Sequence, residues 1–520
     1  MNKIEQLKTT EDVLGVIARL PHYAAQGWES IPEEDIHRLK WYGVFLRNPT
    51  PGKFMLRVRI PGGELRPVHI QTLATIAETY GNSIVDVTTR QQIQLRHLDI
   101  ASIPHIFDVL RAVGLTSLQT GMDTVRNILT CPIAGLNPTE HLDPTSLVHT
   151  LTQTVLHNPQ YTNLPRKMNV AITGCLQNCL HLETQDLAFV PAQYNLDHGD
   201  ALNGYNVLVG GKLGSGGYRI ASPLNIFVTT DEVVSLFEAV IAVYRDHGFR
   251  DNRNQSRLSF LIDSWGEDRF RQAVERTANR TFRREGRDLR TKQQTDHIGV
   301  FRQRQSGLNY AGIKLVVGRT TSKELRQIAD LATRYGTGEL RLTPHQSVII
   351  PNIPDAKIGD FDVECGKGTL TYNPSSIYRG LVSCVGSDYC NLAVIETKRT
   401  AVEIAKQLDQ RLPVTMKPIT MHWSGCPAGC GNHLVADVGL LGKKIKHNGV
   451  VVDAVDVFVG GKSGPDPKLA LKVLEDVPCH QLSDVLSQIL PYHTRDKMHR
   501  TRSASISKSA LTPASTPQRQ

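Results

Sequence analysis

The chain has 520 residues, 40% of them hydrophobic, and a formal net charge of +9 with a pI near 9.0. That length exceeds one ordinary core and predicts about two to four domains. No apolar run approaches the roughly 18 residues needed to cross a bilayer, and the segment from Met1 to Leu20 is full of Lys, Glu and Thr, so neither a membrane span nor a secretory signal is expected. Nine cysteines are an odd number and too sparse for a disulfide scaffold, and six of them fall into three close pairs, as metal-ligating thiolates do. A reducing, cytoplasmic compartment suits them. The positive charge is compatible with an acidic protein partner, an acidic cofactor, an anionic substrate or nucleic acid, and by itself chooses none of these.

In chain order, residues 1–37 read as a helical segment. Residues 38–115 run strand, helix, strand: Gly43-Val44-Phe45, then an apolar helical pattern ending in Tyr80-Gly81, then V-D-V-T-T-R-Q-Q-I-Q-L, whose alternation predicts one strand from 85 to 95. Residues 116–285 carry G-M-D-T-V-R-N, L-P-R-K-M-N, T-G-C-L-Q-N-C at 173–179 and V-L-V-G-G-K-L-G at 207–214. A helical, charged stretch from about 230 to 295 reads as the connection between the two halves of the chain, with Arg271 to Lys292 its most linker-like part.

The second half repeats the first. Residues 295–365 contain Gly299-Val300-Phe301, a helix ending in Tyr335-Gly336 and L-R-L-T-P-H-Q-S-V-I-I, so that Tyr80, Thr88 and Gln91 recur as Tyr335, Thr343 and Gln346 at a constant shift of 255 residues. Residues 366–494 contain S-G-C-P-A-G-C at 424–430 and V-F-V-G-G-K-S-G at 457–464, mirroring the first-half motifs. The expectation is an internally duplicated, pseudo-twofold α+β protein. The end of the chain, 495–520, is rich in Ser, Thr, Arg and Lys without apolar periodicity and reads as a disordered basic tail.

Cys384 and Cys390, followed by Cys426 and Cys430, offer four thiolates in two tight pairs. A cubane iron-sulfur cluster requires that ligand count, one thiolate per iron. Structural zinc also takes four cysteines, but the five-residue gap in C-V-G-S-D-Y-C fits its usual spacing poorly. Cys175 and Cys179 occupy the repeat-equivalent position in the first half, where no second pair accompanies them and Cys131 supplies only a third thiol. We therefore read Cys131, Cys175 and Cys179 as small buried or loop residues, and Cys365 and Cys479 as packing residues.

The half without the cluster carries Arg90, Arg126, Lys167 and Asn169 at the ends of apolar segments. If R-K-M-N enters a strand, Lys167 and Asn169 share one face while Arg166 and Met168 take the other. Converging, such groups would bind a small oxyanion and donate hydrogen bonds or protons to it.

Through these residues, and through T-P-G-K-F-M-L-R-V-R-I-P-G-G, G-M-D-T-V-R-N, N-L-P-R-K-M-N-V-A-I and V-I-E-T-K, the chain resembles the siroheme-dependent nitrite and sulfite reductases from about Ile4 to Leu490. The likeness is nearest to the ferredoxin-dependent nitrite reductases of cyanobacteria and other bacteria. It implies ferredoxin-like half-domains alternating with siroheme and 4Fe-4S cluster domains. It also implies that Cys384, Cys390, Cys426 and Cys430 ligate the cluster, Cys430 doubling as the axial ligand of the siroheme iron. Arg90, Arg126, Lys167 and Asn169 match the residues lining the substrate side of siroheme, and Arg96, Asn127 and Arg166 beside them are expected to hold that polycarboxylate cofactor. The implied reaction is the six-electron reduction of nitrite to ammonium by a monomer, with electrons from reduced ferredoxin, an acidic donor suited to a basic enzyme. No nucleic-acid partner is implied. Resembling sulfite reductases have R-K-x-K where this chain has R-K-M-N, so Asn169 favours nitrite over the alternative substrate, sulfite. A second alternative is an iron-sulfur electron-transfer protein that lacks siroheme, against which Arg90, Arg126 and Lys167 argue.

Overall fold

The computed structural model describes residues 2–495 except 198, 215, 414 and 415, so the basic tail expected at the end of the chain lies, from residue 496, outside the described residues. The duplication is realised as two sheet pairs. The first ferredoxin-like sheet takes Val44–Arg47, Thr50–Val58, Ile93–Leu98 and Ile84–Val87 in spatial order, and the second takes Gly299–Arg302, Leu308–Lys314, Ser347–Pro354 and Leu340–Leu342. Each is completed by a short strand from the other half. Arg319–Thr321 pairs antiparallel with Ile84–Val87, and Glu64–Leu65 pairs with Leu340–Leu342.

The two half-sheets share one core. The helix Pro67–Tyr80 buries Ile70, Leu73, Ala74 and Ala77, and the helix Ser322–Tyr335 buries Leu325, Ile328, Ala329 and Ala332, each set at the spacing that makes one helical stripe. The second helix is started by a capping box in which Thr321 and Glu324 exchange side-chain and backbone bonds. These stripes face one another and merge with the strand residues into a single apolar cluster, each buried Leu or Ile contributing about 1.5–3 kcal/mol.

The segment from 85 to 95 is not one strand. It is a hairpin turned at Thr88–Gln92, where the Thr88 hydroxyl accepts the amides of Arg90 and Gln92, both at 3.2 Å, and Gln91 sits at φ 51°. The same turn recurs at Thr343–Gln346, with Gln346 at φ 58°. No Gly or Asn marks these left-handed positions, and the apolar alternation runs on through the turn, so periodicity alone reads straight across it.

The remaining two sheets are also copies. Val125–Leu129, Met168–Ile172 and Leu187–Asn195 run parallel and are followed by antiparallel Ala201–Val209 and Ser222–Val228. In the second half Leu381–Ser383, Met421–Ser424 and Val438–His447 run parallel, followed by antiparallel Val450–Val459 and Leu471–Pro478. The stretch expected to be a connection is largely integral to the first of these layers. Its helices Val233–His247, Leu258–Trp265 and Glu267–Thr277 pack on the sheet through Phe237, Val240, Leu261, Phe270 and Val274, and Arg287–Asp288 adds an edge strand. The many charges that made it look like a linker occupy the outer faces of amphipathic helices.

Candidate functional site: a cationic cleft against a four-thiol loop pair

The parallel strands Leu381–Ser383 and Met421–Ser424 end at the same sheet edge, and each runs straight into a cysteine loop, which brings Cys384 and Cys390 to Cys426 and Cys430. The Cys384 amide donates to Trp423 O at 3.0 Å, and the Gly425 amide donates to the Cys384 sulfur at 3.2 Å. Gly386 is at φ 71°, and a Cβ there would stand 2.6 Å from the Thr397 nitrogen. The loops close this tightly only with glycine.

Burial, and then the neighbouring Cys430, Cys390 and Cys384, push the Cys426 thiol up to about 12; burial and Cys430 raise Cys384. Four thiols that repel one another as thiolates call for positive metal between them. Among the described residues, no three of these four sulfurs approach within 4.8 Å of one another, an arrangement too open for a single tetrahedral ion and suited to a cluster whose irons stand between the sulfurs. Cys430 is the most exposed of the four.

Facing Cys430 is the first half. Arg90 sits on the hairpin turn, Arg126 and Asn127 on the strand Val125–Leu129, and Lys167 and Asn169 at the start of its parallel neighbour Met168–Ile172. Thr89 donates to the Cys430 carbonyl at 3.1 Å. Thr89, Arg90, Asn169 and Gln185 from the first half and Gly429 and Asn432 from the second line one cavity. Asn127 holds the turn in place, its amide donating to Ile60 O at 2.7 Å and Arg90 O at 3.0 Å. The carbonyl oxygen of Asn169 is buried without a partner, while its backbone amide donates to Asp186 at 2.7 Å.

The electrostatics of this wall are strongly one-sided. Burial, reinforced by Arg90, Arg257 and Arg126, holds the Lys167 ammonium well below the usual lysine range, with Cys430 opposing. Burial and then Arg57, Arg90 and Arg166 do the same to Arg126. Two arginines not anticipated from the sequence, Arg47 and Arg57, flank the Phe45 ring at 4.8 and 5.0 Å and also act on this region; burial, then Arg47 and Arg90, bring Arg57 down to about 9. Burial lowers Arg47, and the thiols Cys390 and Cys430 partly offset it. Arg57 had a signal in its alternation with Arg59 along an apolar strand, whereas Arg47, the only basic residue of Val44–Arg47, had none.

Carboxylates in the neighbourhood are already engaged. Asp186 takes a two-pronged bond from Arg257 at 2.7 and 2.6 Å, and Asp123 takes Arg253, Lys8 and, at 3.7 Å, Arg166. The surplus of buried cations fits a polyanionic cofactor and an anionic substrate, because charge left unneutralised in a low-dielectric site is costly. Arg96 is drawn elsewhere: it is buried against Asp86 at 2.9 Å and stacks over the Tyr389 ring at 4.9 Å, bracing the loop that carries Cys390. Its carboxylate partner is thus internal to the protein.

Cys131, Cys175 and Cys179 are buried, as small apolar residues would be, but they lie together and beside His297. Cys365 is buried in the ferredoxin-like core, and Cys479 packs at the edge of the second-half sheet core.

Four thiols in a double loop, set against a cleft whose cations Arg90, Arg126 and Lys167 have no carboxylate partner among the described residues, Arg126 resting on the Thr120 and Met122 carbonyls, define an iron-sulfur redox protein that acts on an anion. The family models for the nitrite and sulphite reductase 4Fe-4S domain match residues 121–282 and 376–508, and those for the nitrite/sulfite reductase ferredoxin-like half domain match 47–113 and 301–364. The chain belongs to the nitrite and sulfite reductase family. It is 44% identical to the ferredoxin–nitrite reductase of Synechococcus elongatus over 94% of this chain and 96% of that one. It is 33% identical to the assimilatory ferredoxin-dependent nitrite reductase of Haloferax mediterranei over 94% of this chain and 88% of that one. The solved structure of the Mycobacterium tuberculosis NirA protein superposes with a TM-score of 0.88 at 30% identity, over 96% of this chain and 94% of that one. No helix among the described residues is long and apolar enough to cross a membrane.

Proposed function

We infer that the chain is an assimilatory, ferredoxin-dependent nitrite reductase with siroheme and a 4Fe-4S cluster as its cofactor pair. The observation that carries this reading is the meeting of Cys430 with the cavity lined by Arg90 and Asn169. Cys384, Cys390, Cys426 and Cys430 would hold the cluster, and Cys430, the most exposed thiol, would join it to siroheme. When bound, the pair supplies an iron that takes the anion and a route for its electrons.

The protein's own groups do the rest. Arg90 and Arg126 counter the negative charge of the bound anion, and Asn127 keeps the Arg90 turn in position. Lys167 holds its proton loosely, because burial and three guanidiniums destabilise the ammonium, so Nζ can release a proton as nitrogen-oxygen bonds break. Asn169 offers a neutral amide where a second ammonium would favour a dianion. Arg166 and Arg96 stand at the margins, turned toward Asp123 and Asp86. The nine unpaired cysteines suit a reducing compartment, and we place the enzyme in the cytoplasm as a monomer.

The test is turnover of nitrite and of sulfite side by side with a chemically reduced donor, together with an absorption spectrum of the purified protein. Nitrite reduced to ammonium with the higher kcat/KM and a siroheme Soret band are expected. Preference for sulfite would overturn the substrate, and absence of the Soret band would overturn the cofactor pair.

A further inference from the structure

We propose that Cys131, Cys175, Cys179 and His297 form a structural zinc site of three thiolates and one imidazole, separate from the cluster and the cationic cleft. Each of the four is at most 1% exposed. The ligand atoms of Cys131, Cys179 and His297 all lie within 4.8 Å of one another, and the Cys131 sulfur is 3.7 Å from His297 Nε2. A tetrahedral site with Zn–S of about 2.3 Å and Zn–N of about 2.0–2.1 Å separates sulfur and nitrogen by about 3.5 Å, close to that spacing. Cys175 stands outside that 4.8 Å group, its sulfur beside that of Cys131 alone, and becomes the fourth ligand by a change of side-chain rotamer as zinc binds.

One sulfur is also served by an N–H donor. Asn137 Nδ2 donates to the Cys175 sulfur at 3.2 Å. An outer partner of this kind orients a metal ligand. The surroundings are otherwise apolar, with Leu129, Ile133, Leu136, Leu180, Leu182 and Tyr310 in the same cluster. Soft sulfur donors with one imidazole in a closed tetrahedral set select zinc. A cubane is disfavoured here, since its irons would hold the sulfurs farther apart than these ligand atoms stand.

The site has a position that gives it work to do. Cys131 follows the strand Val125–Leu129, Cys175 and Cys179 lie in the loop after Met168–Ile172, and His297 lies just before the second ferredoxin-like sheet. The segment leading to His297 is already tied to the cysteine loop, Thr291 N donating to Leu176 O at 2.7 Å and Asn178 N to Gln293 O at 3.4 Å. Leu129 and Leu180 also line the cofactor cavity. Zinc here would pin the crossing between the halves directly behind the cavity wall, at the position where the repeat places Cys426 and Cys430 in the other half.

The experiment is metal analysis of the purified holoenzyme, followed by X-ray absorption at the zinc edge, where siroheme and cluster iron are silent. About one tightly held zinc per chain is expected, with about three sulfurs near 2.3 Å and one nitrogen near 2.0 Å. Cys179→Ser should lose most of that zinc and keep the iron and the siroheme spectrum, while His297→Cys should retain zinc with a fourth sulfur. If Cys179→Ser fails to fold, the zinc-edge spectrum of the wild type decides by itself. Zinc absent after growth in zinc-supplemented medium, a disulfide among these cysteines in non-reducing peptide mapping, or iron beyond that of cluster and siroheme would each overturn the proposal.

Discussion

Gln91 and Gln346, related by the repeat, make the same bonds across the pseudo-twofold. The Gln91 amide nitrogen donates to Leu342 O of the other half at 2.9 Å and its oxygen accepts the Thr130 amide at 3.2 Å; the Gln346 nitrogen donates to Val87 O at 3.2 Å and its oxygen accepts the Ser383 amide at 2.9 Å. Each glutamine thus ties its own hairpin turn to the opposite half and to the end of the first parallel strand of the sheet that follows, Val125–Leu129 or Leu381–Ser383. Both side chains are buried, so Gln91→Ala or Gln346→Ala strands buried backbone groups and should cost about 1–3 kcal/mol. A lowered thermal midpoint for each variant is expected; unchanged midpoints would show that the bonds do not join the halves.

Replacement of Cys384, Cys390, Cys426 or Cys430 by Ser should remove most iron and activity, because an oxygen ligand replaces a thiolate at a cluster corner. Cys175→Ser and Cys179→Ser should keep iron at the wild-type level. Iron content and the visible spectrum of the purified variants distinguish the two groups, and comparable iron loss in both would refute the assignment of the cluster to the second half.

Lys167 sets a pH limit. With its ammonium destabilised by burial and by Arg90, Arg257 and Arg126, Lys167 loses its proton at a lower pH than a free lysine. Nitrite turnover should therefore decline on the alkaline side, starting below the ordinary lysine range near 10.5. In Lys167→Arg the decline should move to higher pH, since guanidinium keeps its proton, while the maximal rate drops through poorer proton release. A pH–rate profile unchanged in that variant would remove Lys167 from the proton path.

Asn169→Lys should lower nitrite turnover and raise sulfite turnover. It adds a positive charge at a cavity-lining position whose side-chain oxygen is buried without a partner, and a dianion gains more than a monoanion from one added charge at close range, by about 1–3 kcal/mol when partly screened. The nitrite-to-sulfite ratio of kcat/KM should fall about tenfold or more. An unaltered ratio would mean that selectivity resides elsewhere in the cleft.

The duplication, the α+β class and the four thiols proposed as cluster ligands were legible in the sequence because each is a local pattern: a constant shift between Tyr80-Gly81 and Tyr335-Gly336, alternation along strands, and close pairing of cysteines. Arg90, Arg126, Lys167 and Asn169 could be named as candidates, but bringing this wall to Cys430 depends on a hairpin turn and loops from opposite halves meeting around one cavity. Only the tertiary structure decided which partner each charge takes. Arg96 is claimed by Asp86, Arg166 turns to Asp123, and Arg47 and Arg57 join the cationic region from the two strands that precede Arg90 in the chain. It likewise decided that Glu64–Leu65 and Arg319–Thr321 are exchanged between half-sheets, and that His297 reaches Cys131 across 166 positions. Short-range periodicity records which face of an element is apolar; charge neutralisation and metal ligation are settled by neighbours in space, which a linear pattern does not encode.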